Sequence, residues 1–374
     1  MLETKTERIV TPARNIVGSL RLPGDKSISH RYALLSALAS GTTKLTNFST
    51  GADCASSLGC AAALGATVTR REDGTIEVTG TGGSFKPSET PLDCGNSGST
   101  MRMLTGLLAA SPNTYTLIGD ESLSRRPMER VRKPISQMGA EITLTDGHAP
   151  VTIRGGQLTG IDYTSPVPSA QVKTALLFAG LQAEGTTIAR ESVRTRDHGE
   201  LALRAFGAHV DRTTDSVSIA GGQQLQAIEA VVPGDISSAA FFLCAAALFP
   251  GSNLIFDGLG LNPTRATLLD VLTALGAHIG VLNLEDKNGE LIGTVQVNAP
   301  SNGLTGTTIS GALAAQLIDE LPVLAAIAPY TQSGIRIRDA KELRVKESDR
   351  IALDRKSTRL NSSHYSRSRM PSSA

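Results

Sequence analysis

With 374 residues, 40% of them apolar and 19% charged, the chain is too long for one ordinary core and too apolar for a disordered polymer, so two globular domains are expected. Lysine and arginine total 36 against 35 acids, which excludes a bulk field for nucleic acid or an anionic membrane, and any anion site has to be built locally. No segment has the roughly 18 consecutive apolar residues of a bilayer span, and MLETKTERIV does not have the form of a signal peptide, so a cytoplasmic location is expected.

In chain order, the first sharp motif is Leu22, Pro23, Gly24, Asp25, Lys26, Ser27, Ile28, Ser29, His30, Arg31, which runs into an apolar helix over Tyr32 to Ala39. A helix start exposes unpaired backbone N–H groups and the positive end of the helix dipole. Lys26 and Arg31 add full charges, so this is an anion site by construction. It is not the nucleotide P-loop, which places four residues between its first glycine and GK[ST]; Gly18 to Gly24 leaves five, and Asp25 intervenes. Taken alone, Gly-Asp-Lys-Ser is a weak signal that reads more readily as an ordinary capped helix.

Further along, Leu64, Gly65, Ala66 closes a helix and is followed by the short alternating runs Val68 and Thr75 to Val78. A second helix start follows at Cys94, Gly95, Asn96, Ser97, Gly98, Ser99, Thr100, Met101, Arg102, leading into the apolar stretch Met103 to Ala110. Gly98 lets a ligand come close to the backbone, which a side chain would obstruct. Arg125, Arg126 and Pro127 form a basic cluster, and Ser169, Ala170, Gln171, Val172, Lys173 opens a third helix. Pro233, Gly234, Asp235, Ile236, Ser237, Ser238 reads as a plain N-cap, and Ile318, Asp319, Glu320, Leu321, Pro322 opens the last such helix. The run Lys341 to Arg350 is densely charged, a pattern as typical of a solvated face as of a site.

The ending apolar, Gly, Ala, any residue, apolar recurs at Gly65, Gly139, Gly207 and Gly276, spaced 74, 68 and 69 residues apart. The stretches LLSALASGTTKLTNF, LLFAGLQAEGTTIARE and FFLCAAALFPGSNLIFDG match one another upstream of three of these endings. The repeat unit is therefore helix, strand, helix, hairpin, with the glycine as a left-handed C-cap. A fifth copy starts at IDELPVLAAIAPY and places Asn361 where its glycine would fall. From about Asp354 the text DRKSTRLNSSHYSRSRMPSSA is expected to be a disordered, non-native tail resembling translated adaptor sequence joined to a truncated gene.

Cys54, Cys60, Cys94 and Cys244 have no metal-ligand spacing and read as reduced thiols. The six histidines show no HExxH pattern, and no GxSxG elbow is present, so neither a metal enzyme nor an esterase-like hydrolase is expected.

The ordered motifs GDKSISHR, GNSGSTMR, RRPMERV, SAQVK, TRDHGE, GDISSA, IDELP and KESDR resemble the 5-enolpyruvylshikimate-3-phosphate synthase family over about Thr11 to Ile351. The resemblance implies an α/β (α+β) fold of two domains built from βαβαββ units, with helix starts facing a cleft. It implies one domain of residues 1–23 plus 233–353, with its last unit incomplete, a second of 24–232, and the chain crossing near Pro23 and Pro233. The implied reaction carries the enolpyruvyl group of phosphoenolpyruvate to the 5-hydroxyl of shikimate 3-phosphate and releases phosphate, by addition then elimination, in a monomer with no metal or organic cofactor.

By the same resemblance, Lys26, Ser27, Arg31, Ser169, Gln171, Arg196 and Lys346 hold shikimate 3-phosphate, with Ser169 suited to its phosphate and Lys26 also reaching phosphoenolpyruvate. Asn96, Gly98, Arg126 and Arg350 form the phosphoenolpyruvate pocket. Asp319 is the candidate base near the 5-hydroxyl, and Glu347 and Lys26 are the candidate proton carriers. Two further family cations, an Arg in a DHRMAM-like segment and a later Lys, have no counterpart here, so a fragment that only binds shikimate 3-phosphate is the alternative. UDP-N-acetylglucosamine enolpyruvyl transferase ranks below both: it lacks the GDKSISHR run and uses a loop Cys, which Ile118 to Arg126 does not contain.

Overall fold

The computed structural model describes residues 11–353; the expected tail from Asp354 and the position of Asn361 lie outside them. The elements run β1 (Val17–Arg21), α1 (Lys26–Leu38), β2 (Thr42–Thr46), α2 (Ala52–Ala63), β3 (Thr67–Arg70) and β4 (Ile76–Thr79). The second group is β5 (Leu92–Asp93), α3 (Gly98–Leu108), β6 (Thr114–Ile118), α4 (Glu121–Ser124), α5 (Glu129–Gln137), β7 (Glu141–Thr145) and β8 (His148–Arg154). The third is β9 (Asp162–Thr164), α6 (Ala170–Gly180), β10 (Thr186–Arg190), α7 (His198–Ala205), β11 (Val210–Arg212) and β12 (Ser216–Ala220). The fourth is β13 (Glu229–Val231), α8 (Ile236–Leu248), β14 (Asn253–Gly260), α9 (Thr267–Ala274), β15 (His278–Lys287) and β16 (Glu290–Asn298). Last come β17 (Thr307–Ile309), α10 (Gly311–Gln316), α11 (Leu321–Ile327) and β18 (Ile335–Ile337).

Every four-stranded sheet has one plan: a short strand pairs in parallel with a middle strand, which pairs antiparallel with the second arm of a hairpin. The helix, strand, helix, hairpin unit read from the repeat thus gains a leading strand. The four repeat glycines close their helices at φ between 93 and 119°, a left-handed conformation that L side chains rarely adopt.

The leading strands of the first and fourth groups are exchanged. β1 pairs with β14, and β13 pairs with β2, so each crosses to the sheet of the other. The crossing strands bond each other reciprocally, Asp25 N–H to the Pro233 carbonyl at 2.7 Å and Asp235 N–H to the Pro23 carbonyl at 3.0 Å. Asn47 donates to the carbonyls of both Leu22 and Val232. A Cβ on Gly24 would lie 1.8 Å from the Asn47 carbonyl oxygen, so only glycine passes this crossing.

Two hydrophobic cores result, one from Ile28 to Val232 and one from Ile236 to Leu343. In the first, α1, α3 and α6 are buried along nearly their whole length. Gly106 of α3 lets α6 approach, since a Cβ there would meet the Ala175 carbonyl at 2.0 Å. In the second core, α8 leaves Phe241 65% exposed.

Candidate active site

The site begins at the helix starts. Asp25 caps α1 by accepting from Ile28 N–H, Ser97 caps α3 through Thr100 N–H, and Ser169 caps α6 through Val172 N–H. Each cap places the next residues, Lys26 and Ser27, Gly98, and Gln171, on a first turn with free N–H groups. The start of α8 is more than the plain N-cap expected there. Asp235 bonds Ser237 N–H and Ser238 N–H, and also accepts from Lys26 N–H of the other core at 3.2 Å.

Most of the expected residues meet in one continuous run of polar contacts between the cores. Asn96 accepts from Arg126 at 2.5 Å, and Arg126 lies 3.5 Å from Glu347. Glu347 pairs with Arg350 at 2.7 Å, and Arg350 reaches Asp319 at 3.5 Å. Asp319 also takes Lys346 at 3.4 Å and Arg196 at 2.8 Å. The run therefore starts and ends on the first core and passes through two segments of the second. Lys26 flanks it, with its ammonium 3.0 Å from Asp53.

Arg31 donates to the Ser27 carbonyl and to Thr174 Oγ1, tying α1 to α6. Burial lowers its guanidinium to about 10, still charged at neutral pH. Ser27 Oγ accepts from Arg265. Ser169 stands apart from the run: its hydroxyl caps its own helix, on the wall of a small pocket shared with Tyr163 and Lys173. Gln171 also stands outside the run, accepting from Arg102 at Oε1 at 2.6 Å and donating to Ser99 Oγ at 2.8 Å.

The electrostatics follow from this crowding. Burial alone would raise the Asp319 carboxyl, but Arg196, Lys346, Arg265 and Arg350 hold it far below the usual carboxylate range. Burial likewise works against ionised Glu347, yet its own backbone amide, Arg350 and Arg126 keep it below the ordinary value, so it stands as a carboxylate. Burial disfavours a charged Lys26, and Asp53, with Glu347 and Asp319 behind it, more than offsets that and holds the ammonium.

Two arginines were missed in the sequence. Arg102 is buried beside Arg126, and a Cβ on Gly98 would lie 3.1 Å from its guanidinium and 3.2 Å from that of Arg126. The signal was present, since Arg102 is the one charge on an otherwise uncharged helix. Arg265 is buried between Asp25 and Asp235 at 3.5 and 3.3 Å, and those two carboxylates outweigh burial and raise it above the ordinary arginine value. Nothing local in the sequence pairs residues so far apart.

Glycine-opened helix starts and two groups of arginines can grip phosphate and carboxylate anions, the arginines bidentately, and the carboxylates among them can accept protons. Among the described residues no group of three His, Cys, Asp or Glu could hold a metal ion, and no helix is long and apolar enough to cross a membrane. The four cysteines are free and buried.

Residues 10–356 match the family model of EPSP synthase (3-phosphoshikimate 1-carboxyvinyltransferase). A 3-phosphoshikimate 1-carboxyvinyltransferase of Koribacter versatilis is 63% identical over 344 residues, covering 92% of this chain and 80% of that relative. Its counterpart in Solibacter usitatus is 53% identical over 357 residues, covering 92% and 81%. The solved EPSP synthase of Acinetobacter baumannii superimposes with a TM-score of 0.82 at 39% identity, covering 93% of this chain and 79% of that one.

Proposed function

Because the chain belongs to the EPSP synthase family, we propose that the run of ion pairs between its two cores is the site where both substrates are held. The chain is a 3-phosphoshikimate 1-carboxyvinyltransferase of aromatic amino acid biosynthesis: it transfers the enolpyruvyl group of phosphoenolpyruvate to shikimate 3-phosphate and releases phosphate. The observation that carries the site assignment is the meeting of Arg126, Glu347, Arg350, Asp319 and Arg196, contributed by both cores, in unbroken contact.

On this reading Lys26, Ser27, Arg31, Ser169, Gln171, Arg196 and Lys346 hold shikimate 3-phosphate, while Asn96, Gly98, Arg126 and Arg350 hold phosphoenolpyruvate. Arginine suits both because its planar fork pairs two oxygens at once. Asp319 takes the proton of the 5-hydroxyl as that oxygen attacks C2 of phosphoenolpyruvate. A carboxyl held so low is a weak base. Incoming phosphate and carboxylate groups neutralise the same cations and restore its basicity. Lys26, a held ammonium, delivers the proton to C3; Glu347, a carboxylate, accepts one when phosphate leaves. The charged groups already face one another, so no metal or organic cofactor has a step to perform.

Residues 1–23 with 233–353 make one domain and 24–232 the other, a division supported by the separate cores and the exchanged strands. The near-neutral net charge of +1 provides no bulk field for nucleic acid or an anionic membrane, which supports the absence of either partner. The test is purified chain supplied with both substrates and followed by phosphate release. Continuous release supports the transfer; tight shikimate 3-phosphate binding with no release favours the fragment that only binds.

A further inference from the structure

The loop between β14 and α9 lies outside the run of ion pairs, yet three of its residues are buried side chains with polar partners: Asn262, Thr264 and Arg265. At one end Arg265 grips the point where the chain crosses between the cores, meeting Asp25 and Asp235 and donating to Ser27 Oγ and, at 2.8 Å, to Ser237 Oγ. At the other end Asn262 donates to Asp197 Oδ1 at 2.8 Å and to Glu290 at 3.1 Å. Thr264 Oγ1 accepts from Asp197 N–H at 3.3 Å, and its single proton is shared between Asn262 Oδ1 at 2.7 Å and Asp197 Oδ1 at 3.1 Å.

Asp197 precedes α7, where an aspartate would ordinarily cap the helix, and its side chain makes no cap bond. It is spent instead on Asn262, Thr264, Arg212 and Arg194. The neighbouring His198 is likewise bound across the boundary, its Nδ1 2.6 Å from Glu290 of β16. On the other side of Arg196, Thr195 is held through both its N–H and its hydroxyl by Glu191, which also pairs with buried Lys173. Arg196 is therefore bracketed: Thr195 is fixed to the first core, and Asp197 is bound to both cores, through Arg212 and Arg194 on one side and Asn262 and Thr264 on the other.

We propose that Asp197, Asn262 and Thr264 are positioning residues that set Arg196 against its ligand according to the placement of the second core, with Arg265 anchoring the loop. The proposal rests on the assignment of Arg196 to shikimate 3-phosphate made above. A buried hydrogen-bond network has little slack, so the backbone of Arg196, which lies just before α7, is held by the loop as well as by the first core. Losing one member leaves the charge of Arg196 in place and loosens only its aim, and displacement of about 1 Å at such a group costs one to two orders of magnitude.

The experiment measures shikimate 3-phosphate affinity by titration calorimetry and steady-state kinetics on the full chain. Thr264→Val keeps the shape and removes the hydroxyl. It is expected to raise Kd and KM for shikimate 3-phosphate about tenfold while kcat at saturation stays within about twofold. Thr264→Ser, which restores the hydroxyl, is expected to return Kd to within about twofold of the unaltered chain. Should Thr264→Val not fold, Asp197→Asn is read in its place, with the same expected split. An unchanged Kd in a folded variant, no rescue by serine, or a fall in kcat matching the loss of affinity overturns the positioning role. An unaltered chain that neither binds shikimate 3-phosphate nor releases phosphate refutes the site assignment instead, before any variant is compared.

Discussion

Gly98→Ala separates binding from folding at the proposed phosphoenolpyruvate pocket. Gly98 is the first residue of α3 and its φ lies outside the left-handed region, so alanine fits the backbone, and its higher helix propensity is worth at most about 1 kcal/mol in favour of the variant. The new methyl would stand 3.1 Å from the Arg102 guanidinium and 3.2 Å from that of Arg126, tighter than ordinary contact, so both groups must yield by a few tenths of an ångström. Neither yields freely, being buried and tethered to Gln171 and Asn96. The loss of one charge-assisted hydrogen bond to the ligand costs about 1.5–3 kcal/mol. That predicts a KM for phosphoenolpyruvate raised by roughly 10- to 100-fold, with the denaturation midpoint unchanged or slightly higher. Initial rates at saturating shikimate 3-phosphate measure the first, and urea unfolding the second. The unaltered chain should be inhibited by glyphosate, an anion resembling phosphoenolpyruvate, and the variant inhibited less by at least the same factor. A KM within about twofold of the unaltered chain would refute the pocket.

Two more outcomes test other parts of the site. Lys26→Ala removes the held ammonium and is expected to abolish phosphate release while leaving unfolding stability within about 1 kcal/mol, because the Asp53 pair it breaks is half exposed; near-normal turnover removes Lys26 from the chemistry. His30 is buried, and burial first, then Lys26 and Arg31, lowers it from 6.5 to about 3. Between those values the unfolded chain binds a proton that the folded chain refuses, so folding stability falls as pH drops below 6.5. His30→Gln removes that titration and should flatten the fall between pH 7 and 5, read from urea midpoints; an unchanged slope means His30 is not the group responsible.

The helices and hairpins were legible because their causes are local. Gly65, Gly139, Gly207 and Gly276 mark helix ends through a backbone conformation that only glycine adopts cheaply, and each does end a helix at positive φ. Lys26, Gly98 and Gln171 are readable as helix-start residues because the caps beside them are short-range. Arg102 ends the GNSGSTMR motif in the sequence, and only the packing of its helix shows it buried beside Arg126. Arg265 and Asp235 were legible only as a charge and a cap, because their partners come from Asp25 and Lys26 on the far side of the crossing.

By itself the sequence determined the repeat, the order of the elements, the family and the identity of the charged residues, all of which depend on neighbours within a few positions or on motifs in series. Only the tertiary structure decided the exchange of β1 and β13, the seating of Glu347 against Arg126 and Asp319 against Arg196, and the bracketing of Arg196 by both cores. These pairings join residues far apart in the chain, Asn262 and Asp197 being 65 positions apart and the others more, and their energies arise from burial and from fields summed over several charges, quantities that exist only once the chain has closed on itself.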